Sequence, residues 1–166
     1  MSIFRPNILL NGITDVSKDI LKSLDISLLL LDVDNTLAHA KSSSPYDGVT
    51  DWLNNIKNDF KVVIVSNNFD KRVSAFAKSL GLKYVALAMK PFPFGFNKAL
   101  KMFGESRKNA VIIGDQIFTD ILGANLLGAK SILLEPTQID ETNGMKIKRL
   151  LEKSIREKIK KGQSKN

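Results

Sequence analysis

Apolar residues in this chain arrive in short unbroken blocks: SLLLLDV at 27–33, KVVIV at 61–65, YVAL at 84–87, AVII at 110–113 and SILL at 131–134. Blocks of this length, apolar on both faces, read as strands buried on both sides, the pattern of a parallel sheet covered by helices. Between them lie helix-length segments near 15–24, 48–58, 70–80, 93–103 and 117–127. Thr14 or Asp15 is placed to cap the first, and Gly81, Gly104 and Gly128 stand where three of the others should stop. The alternation predicts an α/β domain with a mostly parallel five-stranded sheet and helices on both faces. Trp52 shares an apolar helix face with Leu53 and Ile56, so core packing is expected of it.

The last segment follows a different rule. Ile147, Leu150, Leu151, Ile155 and Ile159 form one apolar stripe at helical spacing, and nine Lys/Arg between 143 and 166 face only Glu152 and Glu157. Residues 1–142 carry the other sixteen Lys/Arg against fifteen Asp/Glu, so the net charge of +8 belongs almost wholly to the tail. The chain therefore divides into a nearly neutral body, 1–142, and a basic amphipathic helix and tail, 143–166, expected to pack on it. Two other readings of the tail stay open: peripheral contact with an anionic membrane, and nucleic-acid binding, which charge alone supports.

At 166 residues one domain is expected, and the absence of cysteine excludes disulfides, thiolate zinc sites and cysteine nucleophiles. No run approaches the ~18 apolar residues of a transmembrane helix, and the N-terminus lacks the layout of a secretory signal, so a cytoplasmic location is expected.

Parallel sheets bind ligands outside the carboxyl ends of their strands. There the chain places Asp32-Val33-Asp34-Asn35-Thr36, then Ser66-Asn67-Asn68, then Lys90, then Gly114-Asp115. Three carboxylates, a hydroxyl and an ammonium at one edge suit a hard divalent cation such as Mg2+ together with a phosphate group, since the cation offsets repulsion between a carboxylate and a phosphate dianion. Asn67 and Asn68 are placed either to cap the following helix or to touch substrate. His39 is expected in a solvated loop. Phe92, Phe94 and Phe96 alternate around prolines beside Lys90 and are expected to pack beneath the site, with contact to an apolar substrate portion as the other reading.

In order along the chain, Asp32-x-Asp34-x-Thr36-Leu37, Ser66-Asn67, Lys90 and Gly114-Asp115-x-x-x-Thr119-Asp120 resemble the four motifs of the haloacid dehalogenase (HAD) superfamily. KPFP at 90–93, GDQxxTDxxGAN at 114–125 and a basic C-terminal helix are similar to its subclass IIIA phosphatases of the YqeG and phosphatidylglycerophosphate phosphatase type. The resemblance implies a three-layer Rossmann-like fold and a phosphomonoesterase working through an aspartyl-phosphate. It implies Asp32 as nucleophile and Asp34 as general acid and base. Mg2+ would be held by the side chains of Asp32 and Asp115 and the carbonyl of Asp34. Ser66, Asn67 and Lys90 would bind phosphate, supported by Thr36 and Asp120. The intervals from Asp34 to Ser66 and from Ser66 to Lys90 leave no room for a cap domain, so an open site is expected. The resemblance points to a lipid-linked phosphate monoester, phosphatidylglycerophosphate. A soluble nucleotide, sugar phosphate, phosphoprotein or nucleic-acid end remains an alternative, and so does a non-catalytic RNA- or ribosome-binding scaffold.

Overall fold

The computed structural model describes residues 2–136 and 143–163. Its sheet has six parallel strands in the order β1-β6-β5-β2-β3-β4, formed by Ile8–Leu10, Leu28–Leu31, Lys61–Val65, Lys83–Val85, Ala110–Gly114 and Lys130–Leu134 as β1 to β6. Five of these correspond to the apolar blocks. The sixth is β1, three half-buried residues paired with β6 from Ile8 opposite Ile132 to Leu10 opposite Leu134. An edge strand of three half-buried residues leaves no apolar block long enough to read, which is why the sequence predicts five strands.

Helices α1 (Lys18–Ser23), α2 (Val49–Ile56), α3 (Asp70–Ser79), α4 (Phe94–Phe103) and α5 (Leu122–Leu127) lie near the expected segments. The first starts later than expected: Ser17, rather than Thr14 or Asp15, caps it by accepting the Ile20 N–H at 3.2 Å. A short 3-10 turn takes up Ile13–Asp15 instead.

Because alternate residues of a strand face opposite sides, the central strands feed two cores. Leu29, Leu31, Val62 and Ile64 pack with Leu21, Trp52, Leu53 and Phe76 from α1, α2 and α3. Leu28, Leu30, Val63 and Val65 pack with Phe96, Leu100, Ala124 and Leu127 from α4 and α5. The result is a three-layer αβα domain. Trp52 is buried as expected, and its Nε1 donates to the Val16 carbonyl at 2.8 Å, tying the N-terminal segment to the first core.

The sixth helix, α6 (Asn143–Gln163), meets the β6 end of the sheet, where Ile155 and Ile159 pack against Ile117, Ile121 and Leu133. Its buried face departs from the apolar stripe. Leu150 and Leu151 are exposed, whereas Glu152 and Arg156 are 1% and 8% exposed; the side chain of Ile147 lies outside the described residues. The inward pair is polar because it meets main-chain groups that need partners. Among the described residues no helix is long and apolar enough to cross a membrane.

Candidate active site

Four loops leave the carboxyl ends of parallel strands and meet at one edge. After β2, Asp32 continues the sheet by donating its N–H to the Ile113 carbonyl at 3.0 Å. The chain then wraps around the Val33 carbonyl, which accepts N–H groups from Thr36, Leu37 and Ala38 at 3.2, 2.9 and 3.2 Å. Asn35 takes a left-handed backbone (φ 56°) to make this wrap. Thr36 is buried within it, and its Oγ1 has no hydrogen-bond partner among the described residues.

At the centre of the site, the buried Lys90 ammonium bridges two buried carboxylates, with Nζ 2.7 Å from Asp32 Oδ1 and 2.7 Å from Asp120 Oδ1. Asp120 also accepts the Gln116 N–H at 3.2 Å on Oδ2, so both its oxygens are occupied. Asp120 presses so closely on β5 that a Cβ at Gly114 would sit 2.3 Å from its Oδ2; glycine is required there for space. Carboxylate oxygens of Asp32, Asp115 and Asp120 lie within 4.8 Å of one another.

Three buried carboxylates share one buried ammonium, and the electrostatics record the imbalance. Burial pushes the Asp32 carboxyl up to about 7; Lys90 opposes the rise, and Asp120 and Asp115 add to it. Burial alone would lower the Lys90 ammonium, but Asp120 and Asp32 outweigh it and hold it above its ordinary range. A cluster of hard oxygen donors with surplus negative charge is chemically suited to a divalent cation, so these residues can hold a metal ion.

Ser66 is buried beyond β3, its N–H donating to the Val85 carbonyl at 3.0 Å. Its Oγ accepts the Asn68 N–H at 3.3 Å. The Asn67 amide clasps the main chain of Lys90, accepting its N–H at 2.7 Å and donating to its carbonyl at 3.1 Å. Asn67 thus braces the lysine, with both ends of its amide engaged. Neither asparagine caps α3, whose N-cap is Phe69 without a side-chain bond.

Asp34 stands apart from the acidic cluster. Arg72, in the first turn of α3, grips its carboxylate with both terminal nitrogens, Nη1 donating to Oδ2 at 3.1 Å and Nη2 to Oδ1. Asn68 donates to Oδ2, and the Lys41 N–H donates to Oδ1 at 3.2 Å. Arg72 and the partnership of Asn68 with Asp34 escaped sequence reasoning. The one available signal was a basic residue a single turn beyond the Ser66 motif.

A second unforeseen element comes from α6. Glu152 Oε1 accepts the N–H groups of Ile117 and Phe118 at 2.9 and 3.3 Å, and Arg156 donates to the Asp115 carbonyl and, at 3.1 Å, to that of Leu134. The loop carrying Asp115 is thereby held from behind by a buried ion pair. Other expectations concern the rim. His39 is exposed and meets Tyr46 edge-on, with ring centroids 4.5 Å apart. Phe96 is fully buried, but Phe92 and Phe94 are largely exposed, against the expectation that all three pack beneath the site. Phe96 points into the core from α4, whereas the other two sit before that helix and on its first residue.

Among the described residues no domain covers this edge. Only α2 and β3 lie between Asp34 and Ser66, and only α3 and β4 between Ser66 and Lys90.

A family model described as mitochondrial PGP phosphatase matches residues 1–138. The Bacillus subtilis (strain 168) protein named "Probable phosphatase YqeG" is 30% identical over 158 residues, covering 95% of this chain and 92% of the relative. A haloacid dehalogenase-like hydrolase from Streptococcus pneumoniae superposes with a TM-score of 0.55 at 15% identity, over 66% of this chain and 84% of its own. The HAD-hydrolase YfnB from Bacillus subtilis, solved bound to magnesium, gives a TM-score of 0.53 at 22% identity, over 63% of this chain and 50% of its own. These two structures share the fold. With the family match reaching from residue 1 to 138 and the YqeG alignment covering most of both chains, the chain belongs to the PGP phosphatase family and is a haloacid dehalogenase-type phosphatase.

Proposed function

We propose that this phosphatase is a Mg2+-dependent phosphomonoesterase that forms an aspartyl-phosphate on Asp32 and takes phosphatidylglycerophosphate as its substrate, releasing phosphatidylglycerol and phosphate. The observation that carries the mechanism is the buried Lys90 ammonium between Asp32 and Asp120, with Asp115 alongside. Family membership and the open edge support the lipid substrate.

A cation held by Asp32, Asp115 and the Asp34 carbonyl would supply charge neutralisation between nucleophile and phosphate, and would keep Asp32 ionised at neutral pH. A carboxylate oxygen of Asp32 attacks phosphorus, and the bond from phosphorus to the leaving oxygen breaks as the leaving oxygen takes a proton from Asp34, which enters this step protonated, having given up one of the hydrogen bonds it accepts from Arg72, Asn68 and Lys41. Asp34 then accepts a proton from water, whose oxygen attacks phosphorus. The bond to Asp32 breaks, releasing inorganic phosphate and restoring the Asp32 carboxylate. Lys90 neutralises charge on the transferring group while Asp120 and the Asn67 clasp fix its position. Ser66 donates its hydroxyl proton to a phosphoryl oxygen once substrate is present.

The test is phosphate release from phosphatidylglycerophosphate in mixed micelles, with and without Mg2+, beside soluble esters and an Asp32→Asn control. Selective, Mg2+-dependent release from the lipid is expected. Hydrolysis confined to soluble esters would overturn the substrate, and full activity in Asp32→Asn would overturn the nucleophile.

A further inference from the structure

Ten large apolar side chains are exposed among the described residues, and five of them gather here: Phe69, Leu87, Met89 and Phe92 on the two loops that hold Ser66 and Lys90, and Phe94 on the first residue of α4. Each is more than half exposed. The two loops are neighbours: the Leu87 N–H donates to the Asn68 carbonyl at 3.0 Å, beside Phe69, and the Ala88 N–H donates to the Ser66 carbonyl at 3.0 Å. Apolar side chains gathered at one functional edge mark a contact surface, whereas scattered ones do not.

The backbone beneath this collar is closely packed. Leu87 and Met89 both adopt left-handed backbone (φ 47° and 58°), a strained conformation for side chains of this size. Ala88 between them is buried, locked from below by Gly95, where an added Cβ would meet the Ala88 Cβ at 2.5 Å. The backbone thus turns a small residue inward and two large apolar ones outward, and the Phe92 N–H closes on the Met89 carbonyl at 2.9 Å. Were these residues surplus core, the loop would relax and fold them in.

We propose that Phe69, Leu87, Met89, Phe92 and Phe94 are an insertion surface that seats the enzyme on an anionic lipid bilayer, with the phosphate-binding edge turned toward the headgroups. Met89 and Phe92 flank Lys90 in the chain. An amphiphile whose phosphate reaches that lysine therefore lays its apolar part on the collar. The adjoining α4 supplies matching charge, carrying Lys98 and Lys101, both exposed, and no acid, whereas at the start of α3 the exposed Lys71 is offset by the exposed Asp70. Side chains projecting singly from loops suit a fluid interface, where each is solvated by lipid, better than a protein partner, which needs a packed complementary surface. This assigns membrane contact to the β3 and β4 loops in place of the basic tail. It deepens the lipid-phosphatase reading and rests on it for the substrate.

The full chain, its Phe69→Ser/Phe92→Ser/Phe94→Ser variant and a Lys153→Gln/Lys158→Gln/Lys161→Gln variant would be sedimented with equimolar phosphatidylglycerol and phosphatidylethanolamine vesicles. Each would also be assayed on glycerol 3-phosphate, a soluble ester with no apolar part, and on vesicle-borne phosphatidylglycerophosphate, with melting curves and sedimentation velocity. The phenylalanine variant is expected to bind vesicles at least about tenfold more weakly and to lose activity on the vesicle substrate by a similar factor. Its melting temperature and its rate on the soluble ester should stay unchanged. Vesicle binding equal to the parent, loss only in the lysine variant, or a parent dimer that the phenylalanine changes turn into a monomer without affecting vesicle binding would each overturn the proposal. Collar-dependent vesicle binding without hydrolysis of the lipid would sink the substrate assignment and leave the surface standing.

Discussion

Arg156 on α6 donates to the main-chain oxygen of Asp115, while its neighbour one turn back, Glu152, accepts the N–H groups of Ile117 and Phe118. Two oppositely charged side chains, 3.9 Å apart, therefore clamp both sides of the loop that presents the Asp115 carboxylate, a proposed metal ligand. Removing one partner of a buried pair leaves the other charge uncompensated, so Arg156→Met should destabilise the protein by about 3–5 kcal/mol. Urea unfolding would read the stability change, and calorimetric titration should find weaker Mg2+ binding. Arg156→Lys, which keeps the charge and loses the fork, should fall between.

Asp32→Asn should abolish turnover and yet stabilise the metal-free fold. The Asp32 carboxyl, raised from 3.8 to about 7, holds its proton more tightly in the folded state than in the unfolded chain. Its contribution to stability therefore declines as pH rises through that window and stays unfavourable above it. In chelator at a pH of about 8 the variant should melt above the parent, with the gap closing near a pH of about 4. Added Mg2+ should reverse the order by stabilising the parent.

Lys90→Met would leave Asp32 and Asp120 facing each other without the ammonium that separates them. A loss of about 3–5 kcal/mol is expected in chelator. Because a divalent cation can replace part of the missing charge, Mg2+ should recover more stability in this variant than in the parent, as paired melting curves would register.

Arg72→Ala frees the Asp34 carboxylate from its two-pronged grip at a partly buried position. The fold should survive with little change in melting temperature, and kcat should fall by about 10- to 100-fold through loss of orientation. Asp34→Asn should cut turnover more deeply and let phosphoenzyme accumulate, which acid-quench trapping would detect.

Asp32, Ser66 and Asp115 were legible because each follows a strand that is buried along most of its length and parallel to the others, whereas Lys90 follows the shorter, partly exposed edge strand β4. Once 27–33 and 110–113 read as strands of one parallel sheet, Asp32 and Asp115 had to share an edge, and the structure makes the two strands neighbours. What escaped was whatever the polarity pattern disguises. Glu152 and Arg156 have the spacing of a solvated ion pair on a basic helix, and nothing in their identity announces that main-chain groups of another loop await them. Phe92, Phe94 and Phe96 look equivalent along the chain, yet only Phe96 lies far enough into α4 to turn inward. Strand β1 was hidden for a simpler reason: three residues at an edge carry too little periodicity to read.

The strand order has a kinetic consequence. β1 pairs with β6, so the outer margin near Asp115 joins the two most distant parts of the sheet in sequence, whereas β2, β3 and β4 are laid down consecutively. Contacts that close such long loops form late and open readily. Amide exchange should accordingly reveal two cooperative units. One comprises β1, β6 and α6, and its opening would carry the Asp115 loop away; the other retains Asp32, Ser66 and Lys90. Ligation of a cation across that seam would fuse the two units into a single opening event.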